Sequence, residues 1–468
     1  MTRAIAVLSM TLALMVTACG GAASSPSTPP GSAETSSPPV ATSSASAEPT
    51  ASAGLRDAKE VALEAAGGQA IGGTVNLLGV LGGKEQDSYL SVYKPFEEAT
   101  GITIEYESTR DLLAVLQTRV DGGNPPDVAA TPGIGQMLAF IKAGKVIDLS
   151  QFLDMATFGQ DWDQGWIDLA SRDGKLYAIF NISAAKGLIW YNAKTYKGPT
   201  NPATWDELAA WAKTTSDGGT TPWCIGLESG AASGWPATDW IEDFLLRQSG
   251  PEVSDAWWRG ELAWTSPEVR AAFEAFGAIA TDPKVVYGGS KAVLATAFLN
   301  GGDGLFTDPP NCYLHHQADW FGGVAAGNFP GLKPVEDYNF FPFPAINSEH
   351  GRVAESAGEM LAAFNDTPQV RAFMKYTASP EAQAILATTG LWLAPNKRVP
   401  ASSYPTDLTR QAAQQLVEAD AVRFDPSDLM PQAMNEGFWH EVLNYVKEPA
   451  SLDAVLAELD RIRLEAYK

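Results

Sequence analysis

The chain has 468 residues, with 55 Asp and Glu against 32 Lys and Arg, and a formal net charge of -23 at pH 7. This excess of acid argues against nucleic acid or an anionic membrane surface as a partner. It does not by itself indicate a cationic ligand, because acidic surfaces also keep secreted proteins in solution. The four histidines and three cysteines show no clustering at metal-ligand spacing, so we expect no metal site and no cofactor.

The first residues are typical of an export signal. A weakly positive start at residues 1–3 precedes an uncharged apolar run at residues 4–16, which is shorter than the about 20 residues of a membrane span. Small residues stand directly before Cys19, as in the processing site of bacterial lipoproteins. We predict that residues 1–18 are a signal peptide and that acylated Cys19 anchors the protein outside the cell membrane. The alternative is an ordinary secretory peptide with a chance cysteine.

The next segment is expected to be a tether. Residues 20–53 are almost wholly Ala, Ser, Thr, Pro and Gly, and such a composition cannot bury enough apolar surface to offset the entropy lost on ordering. We therefore predict a disordered tether over residues 19–71. The remaining part, about 400 residues long, exceeds what one hydrophobic core organises, so two lobes are expected.

Strand and helix patterns alternate at the start of the globular part. Strands are predicted at residues 74–80, 102–106 and 127–130, and helices at residues 88–99, from 111 to the glycines at 122–123, and up to 143. This alternation indicates a parallel sheet covered on both faces, with ligands beyond the carboxyl ends of its strands. The loops at residues 82–87, 108–111 and 131–136 are therefore candidates for the ligand site.

The middle and end of the chain are predicted to be mostly helical. Thr204, Ser266, Thr367 and Ser379 each stand where a helix cap is expected. Extended segments at residues 176–191 and 337–346 interrupt the helices, and we interpret them as crossings between the lobes.

An ordered set of motifs carries a family resemblance. The motifs lie at residues 96–102 (FEEATGI), 122–128 (GGNPPDV), 173–179 (DGKLYAI), 190–192 (WYN), 204–208 (TWDEL), 234–240 (GWPATDW), 312–314 (CYL), 341–344 (FPFP) and 423–428 (RFDPSD). In this order they resemble the family 1 extracellular solute-binding proteins of carbohydrate ABC importers, in particular the α-glucoside-type branch.

The resemblance implies an α/β fold of the type II periplasmic-binding-protein class, with two hinged lobes that are each a sheet flanked by helices. The expected lobes are residues 72–180 plus 347–392, and residues 181–346 plus 393–468. It also implies a monomer without enzymatic activity that closes on a small carbohydrate. The ligand would pass to a two-subunit membrane permease driven by a cytoplasmic ATPase.

Sugar rings offer an apolar face to aromatic side chains and a rim of hydroxyls to polar ones. Among the 14 tryptophans, Trp205, Trp211, Trp257 and Trp258 are expected in the core. The candidates for ligand contact are Trp235 and Trp240, which flank Asp239 in an expected loop, together with Asp239 itself, Trp392 and Trp439.

The polar candidates follow the predicted strands. Glu85, Gln86 and Asp87 come after the first strand, and Arg110 comes after the second, next to Asp111, which a helix cap explains equally well. Glu359 matches a position that is often acidic in the family, although a carboxylate at a helix start is an equal explanation.

Cys224 and Cys312 are expected to form a disulfide in an oxidising compartment, with two free thiols as the alternative.

Other functions remain open at the level of the sequence. The same fold could bind a peptide, a polyamine or a metal chelate, or could serve a membrane sensor. A secreted glycoside hydrolase would also have an aromatic, acidic cleft, with two carboxylates about 5–10 Å apart. The ordered motifs and the tether favour the binding protein.

Overall fold

The computed structural model describes residues 54–468. Its strands are β1 Gly73–Gly79, β2 Ile102–Ser108, β3 Val128–Thr131, β4 Ser171–Arg172, β5 Lys175–Leu176, β6 Ile179–Ala185, β7 Leu188–Asn192, β8 Trp223–Cys224, β9 Leu314–Gln317, β10 Tyr338–Pro342, β11 Val353–Ala363 and β12 Ala421–Phe424.

The α-helices of the first half of this region are α1 Ala58–Ala65, α2 Gly83–Ser91, α3 Lys94–Thr100, α4 Leu112–Asp121, α5 Leu138–Lys142, α6 Met155–Asp161, α7 Gln164–Leu169, α8 Trp205–Asp217 and α9 Trp235–Ser249. Those of the second half are α10 Pro251–Trp258, α11 Pro267–Ala280, α12 Gly289–Ala295, α13 Phe321–Asn328, α14 Pro368–Thr377, α15 Pro380–Thr388, α16 Asp407–Glu418, α17 Pro426–Leu429, α18 Gln432–Lys447 and α19 Leu452–Ala466. Across residues 54–468, no helix has both the length and the apolar character needed to cross a membrane.

The first sheet has the order β12-β11-β3-β1-β2, with β6 also paired to β11. Strands β2 and β3 flank β1 in parallel, as the sequence predicts. Strand β11 is antiparallel to both β3 and β6, so the sheet is mixed rather than purely parallel. This difference arises because β11 enters the sheet on return from the second sheet instead of through a helical crossover.

The second sheet has the order β10-β7-β9-β8. Its central strand β7 is antiparallel to both β10 and β9, and β8 joins the edge parallel to β9. Cys224 on β8 and Cys312, just before β9, form a disulfide with Cα atoms 5.6 Å apart. The predicted disulfide is therefore confirmed, and it fastens one edge of this sheet.

Each sheet has its own hydrophobic core, which confirms the two-lobed α/β fold. The first core includes Val75, Leu77, Phe96, Leu116 and Phe373. The second includes Ile241, Phe244, Phe273, Phe438 and Leu456. All of these side chains are at most 1% exposed, so each core excludes water as completely as that of an independent domain.

The chain passes three times between the first sheet and the second core within the described part. The first connection is residues 186–187, between β6 and β7, inside the crossing predicted at residues 176–191. The second is residues 343–352, so the crossing predicted at residues 337–346 begins too early and overlaps β10. The third is residues 425–429, which the sequence did not predict. Since β12 belongs to the first sheet, residues 393–468 are not wholly part of the second lobe.

The ordered region begins earlier than residue 72. Helix α1 lies in the segment that was predicted to be tether, and Asp57 caps it by accepting from the backbone N–H of Lys59 and Glu60. Ala62 is fully buried in the first core, with Val61 packed beside it. The short sequence AKEVALEA is rich in strong helix formers and has one apolar face, so it docks instead of remaining a spacer. Cys19 and the rest of the predicted signal and spacer lie outside the described residues.

All four predicted helix caps are present. The side-chain oxygens of Thr204, Ser266, Thr367 and Ser379 accept from the backbone N–H three residues later. Two expected loops are helical instead: residues 83–87 start α2, and Trp235 opens α9. Gly234, in the left-handed region with φ of 110°, makes the turn that allows α9 to begin there.

Candidate ligand-binding cavity

A cavity of about 610 Å³ lies between the two lobes. The first lobe contributes the carboxyl ends of β1, β2 and β3, with Leu81, Arg110 and Pro132 in the wall. The second contributes the turn at residues 229–233, the start of α9 and the middle of α18. The three loops predicted to surround the ligand therefore all reach this cavity, as expected for a sheet with parallel strands at its centre.

An ion pair occupies the wall that β1 and β2 supply. Glu85 projects from the first turn of α2, and its Oε2 lies 3.5 Å from Nη2 of Arg110. Burial raises the pKa of Glu85, and the positive charge of Arg110 partly opposes this shift. Both side chains retain some exposure, so each can offer a hydrogen bond to a ligand in the cavity.

Glu359 lies deeper in the same wall, on β11 at a break in the register with β6. The residue is 5% exposed, and its Oε2 has no hydrogen-bond partner among residues 54–468. Burial raises the pKa of Glu359 to about 8, with a further contribution from Glu85 and opposition from Arg110. Its carboxyl group is therefore mostly protonated at pH 7 and has an O–H group to donate.

Aromatic side chains form the adjoining part of the cavity wall. The rings of Trp235 and Phe298 lie 5.1 Å apart, and Trp320 lies 6.2 Å from Trp235, with all distances between ring centroids. Trp392 and Trp439 line the cavity as well. The guanidinium of Arg110 lies 5.1 Å from the ring centroid of Phe298, within the range of a cation–π contact.

The cavity has a charged floor made by Lys186 and Asp239. The ammonium Nζ lies 2.8 Å from Oδ1 of Asp239, and both residues are at most 9% exposed. Burial raises the pKa of Asp239 to about 7, and the opposing charge of Lys186 keeps it from rising further. Asp425 and Asp428 reach the same floor from the segment after β12.

The structure brings together seven of the ten candidate ligand residues along this cavity: Glu85, Arg110, Trp235, Asp239, Glu359, Trp392 and Trp439. Gln86 and Asp87 do not line it, because each residue of a helix is rotated by about 100° from the one before. Trp240 does not line it either. It is 1% exposed and packs in the second core, 4.4 Å from the ring of His316.

Sequence reasoning missed several residues of the site. Lys186 is a single cation within the apolar residues 179–191, and this isolation was an available signal. Asp425 and Asp428 lie in the motif at residues 423–428, whose sequence alone does not indicate a role in the site. Phe298 and Trp320 come from segments whose position relative to the sheets only the tertiary structure shows.

One group of carboxylates within the described residues could hold a metal ion by distance alone. It consists of Asp239, Glu242 and Asp425, with candidate oxygen atoms within 4.8 Å of one another. However, the ammonium of Lys186 binds both Asp239 and Asp425. The positive charge at this place is therefore supplied by the protein itself.

Two α/β lobes joined by three connections, with an aromatic and acid-rich cavity between them, define a solute-binding protein. The family model described as bacterial extracellular solute-binding protein matches residues 82–384. The chain belongs to this family. Its members bind solutes and are not enzymes, which confirms the prediction that the chain catalyses no reaction.

Two curated relatives cover most of the chain. The osmoprotective compounds-binding protein GgtB of Synechocystis sp. is 38% identical over 375 residues, which are 80% of this chain and 88% of the relative. The α-glucosides-binding periplasmic protein AglE of Rhizobium meliloti is 35% identical over 398 residues, or 82% and 85% of the two chains. Among solved structures, a chitin oligosaccharide binding protein matches with a TM-score of 0.72 at 19% identity, covering 84% of this chain and 98% of that one. At this identity the match supports the fold alone.

Proposed function

We propose that this protein is the extracytoplasmic binding component of an ABC importer, and that its ligand is a small carbohydrate of the α-glucoside type. The observation that carries the proposal is the composition of the cavity, which is lined by tryptophan rings, an ion pair and a protonated acid. Its volume of about 610 Å³ lies in the range of about 300–1,000 Å³ that is usual for small-molecule sites. The name of the relative AglE supports the same ligand class.

The polar side chains that the first lobe contributes suit a rim of hydroxyl groups. Glu85 accepts, Arg110 donates, and the protonated carboxyl group of Glu359 can do both. A polyhydroxylated ligand needs donors and acceptors in alternation, whereas a simple cation needs only acceptors. Two positively charged side chains already lie close to the aromatic wall, Arg110 beside Phe298 and Lys186 at 5.9 Å from the ring centroid of Trp235. These two charges lie where a cationic ligand such as a polyamine would otherwise stack on the aromatic rings, so they disfavour that mode of binding.

Capture would proceed by closure of the lobes. We propose that the moving lobes are residues 72–180 plus 347–392 and residues 181–346 plus 393–468, except that α1, the whole of β6 and β12 belong to the first lobe. A ligand that contacts Arg110 on one side and Trp439 on the other stabilises the closed state relative to the open one. The closed form would then deliver the sugar to a two-subunit permease with a cytoplasmic ATPase, and the binding protein would act as a monomer.

Calorimetric titration of the protein with trehalose, sucrose, maltose and raffinose tests the ligand class. We expect saturable binding of one sugar molecule per chain, and no loss of sugar over several hours. Trp439→Ala should weaken binding by tenfold or more, because losing the apolar contact of one aromatic face costs about 1.5–3 kcal/mol.

Trp258→Ala is the matched control, since Trp258 is half-buried beside Arg259 and lies outside the cavity. It should leave sugar affinity unchanged. Glycine betaine and spermidine complete the panel. Binding of either of these without binding of any sugar would refute the carbohydrate proposal.

We also propose that acylation of Cys19 anchors the protein to the membrane. Replacing the thiol removes the only atom that can take the lipid, so Cys19→Ser should move the protein from the membrane fraction to the soluble fraction. Fractionation of cells producing either form, followed by immunoblotting, measures this. Equal membrane retention of the two forms would contradict the proposed anchor.

A further inference from the structure

Lys186 occupies an unusual place for a lysine. It follows β6 directly in the first connection, and its side chain is 8% exposed at the floor of the cavity. Its ammonium binds the carboxylates of Asp239 and Asp425 and lies 4.0 Å from Oε1 of Glu355. A buried ammonium is stable only when carboxylates compensate the loss of hydration, and here three of them surround it.

These carboxylates come from three different parts of the chain. Asp239 lies on α9, Glu355 is on β11 just after the second connection, and Asp425 begins the third connection. The backbone N–H of Lys186 also donates to the carbonyl oxygen of Glu355 over 2.9 Å. A single residue of the first connection therefore contacts strand β11, the start of the third connection and helix α9 of the second lobe.

The neighbourhood contains more acid than this one lysine can neutralise. Glu242 and Asp428 also face the cluster, and burial raises the pKa of both, as it does for Glu355. Neither oxygen of Glu355 has a hydrogen-bond partner among residues 54–468. The ammonium of Lys186 opposes this rise in the pKa of all three groups, so it is the charge that favours their ionised forms.

A second charged group lies farther along α9. Asp243 binds Arg247 and lies 2.6 Å from Nε2 of His316. Burial acts to raise the pKa of Asp243, but these two partners outweigh it and lower the pKa. Arg247 is thus committed to Asp243 and cannot replace Lys186 in the first group. The positive charge in the floor of the cavity therefore comes from Lys186.

We propose that Lys186 is a positioning residue of this protein: it holds Asp239 and Asp425 in the wall of the ligand cavity and ties the first connection between the lobes to the third connection, to β11 and to α9. Motifs 234–240 and 423–428, which are far apart in sequence, thereby act through one shared ammonium. The part of this inference that concerns ligand binding rests on the proposed function. The part that concerns the connections between the lobes does not.

The test compares the full-length protein with Lys186→Met, which keeps the length of the side chain and removes its charge. Without the ammonium, the buried carboxylates must take up protons or stay unpaired, so the variant should be destabilised more at high pH. We expect its melting temperature to fall by about 4 °C or more at pH 8, and by less than half of that at pH 5. Affinity for trehalose, the probe, should fall tenfold or more at pH 8 and recover partly at pH 5.

Two further variants separate charge from packing. Lys186→Met combined with Asp425→Asn removes one carboxylate together with its cation, so it should regain most of the melting temperature lost at pH 8. Lys213→Met removes an exposed lysine paired with Asp217 and should change the melting temperature by no more than about 1 °C at either pH.

The outcomes are distinct. An equal loss of melting temperature at pH 5 and pH 8, without recovery in the double variant, would mean that only the packing of the lysine stem matters and would overturn the inference. Unchanged trehalose affinity in folded Lys186→Met would overturn the positioning role. If the wild-type protein bound no sugar while the pH-dependent loss and its recovery were present, the tie between the connections would stand and the proposed ligand class would fail.

Discussion

Thermal unfolding at a series of pH values should show that the protein loses stability as the pH rises from 5 to 8. Several buried carboxyl groups have raised pKa values, among them Asp239 at about 7 and Asp319 and Glu359 at about 8. Burial is the main cause in each case. Such a group keeps its proton in the folded state and releases it on unfolding, so its contribution to stability is present at low pH and is lost as the pH rises towards the folded pKa.

Glu359→Gln isolates one of these groups. In the window between its ordinary pKa of 4.5 and about 8, each retained proton changes the free energy of unfolding by about 1.4 kcal/mol per pH unit. The fall in stability should therefore be less steep in the variant by about this amount. Denaturant unfolding at pH 5, 6, 7 and 8 measures the slope directly.

The control for this series is Glu261→Gln, because Glu261 is exposed and its carboxyl group stays in water on folding. It should leave the slope as it is in the wild-type protein. If Glu359→Gln had the wild-type slope, Glu359 would be ionised at neutral pH. Its role as a donor in the cavity would then be wrong.

Arg247→Met should be among the most destabilising single substitutions in the second lobe. The guanidinium is 3% exposed; it binds Asp243 and donates to the carbonyl oxygen of Phe343 over 3.3 Å. Its removal leaves a fully buried carboxylate with His316 as the remaining partner. Breaking a buried ion pair in this way typically costs about 3–5 kcal/mol, which denaturant unfolding at pH 7 would measure.

Two variants test this explanation. Arg461→Met breaks the exposed pair with Glu458 and should cost less than about 1 kcal/mol. Arg247→Met combined with Asp243→Asn removes the uncompensated charge and should recover part of the loss. A double variant no more stable than Arg247→Met alone would show that the guanidinium acts through packing on Phe343, whose ring centroid lies 4.8 Å away, rather than through charge.

The sequence predicted those strands and helix ends that depend mainly on residues close together in the chain. The alternation of β-rich runs with helical segments gave β1, β2, β3 and their parallel pairing, and the residues before prolines gave the caps Thr367 and Ser379. The antiparallel insertion of β11 could not be predicted in this way. Its partners lie more than 200 residues away on β3, and pairing at such distance depends on the tertiary packing of both lobes.

The types of residue in the candidate site were predictable from the sequence, but the direction in which each side chain points was less so. Trp235 and Asp239 were both chosen from one motif, and they share a face of α9 because they are four residues apart. Trp240, one position later, turns into the core for the same reason. The expectation of a loop there concealed this periodicity, since a loop would have allowed both tryptophans to reach the ligand.

The pairing of the first sheet determines when it can be completed. Strand β3 must wait for β11, and β11 in turn pairs with β12, whose last residue is Phe424. Contacts between positions so distant in sequence form late, because the intervening chain must be closed into a large loop first. The N-terminal lobe therefore cannot fold ahead of the rest, and until most of the chain is present the edge of β3 stays open to wrong partners.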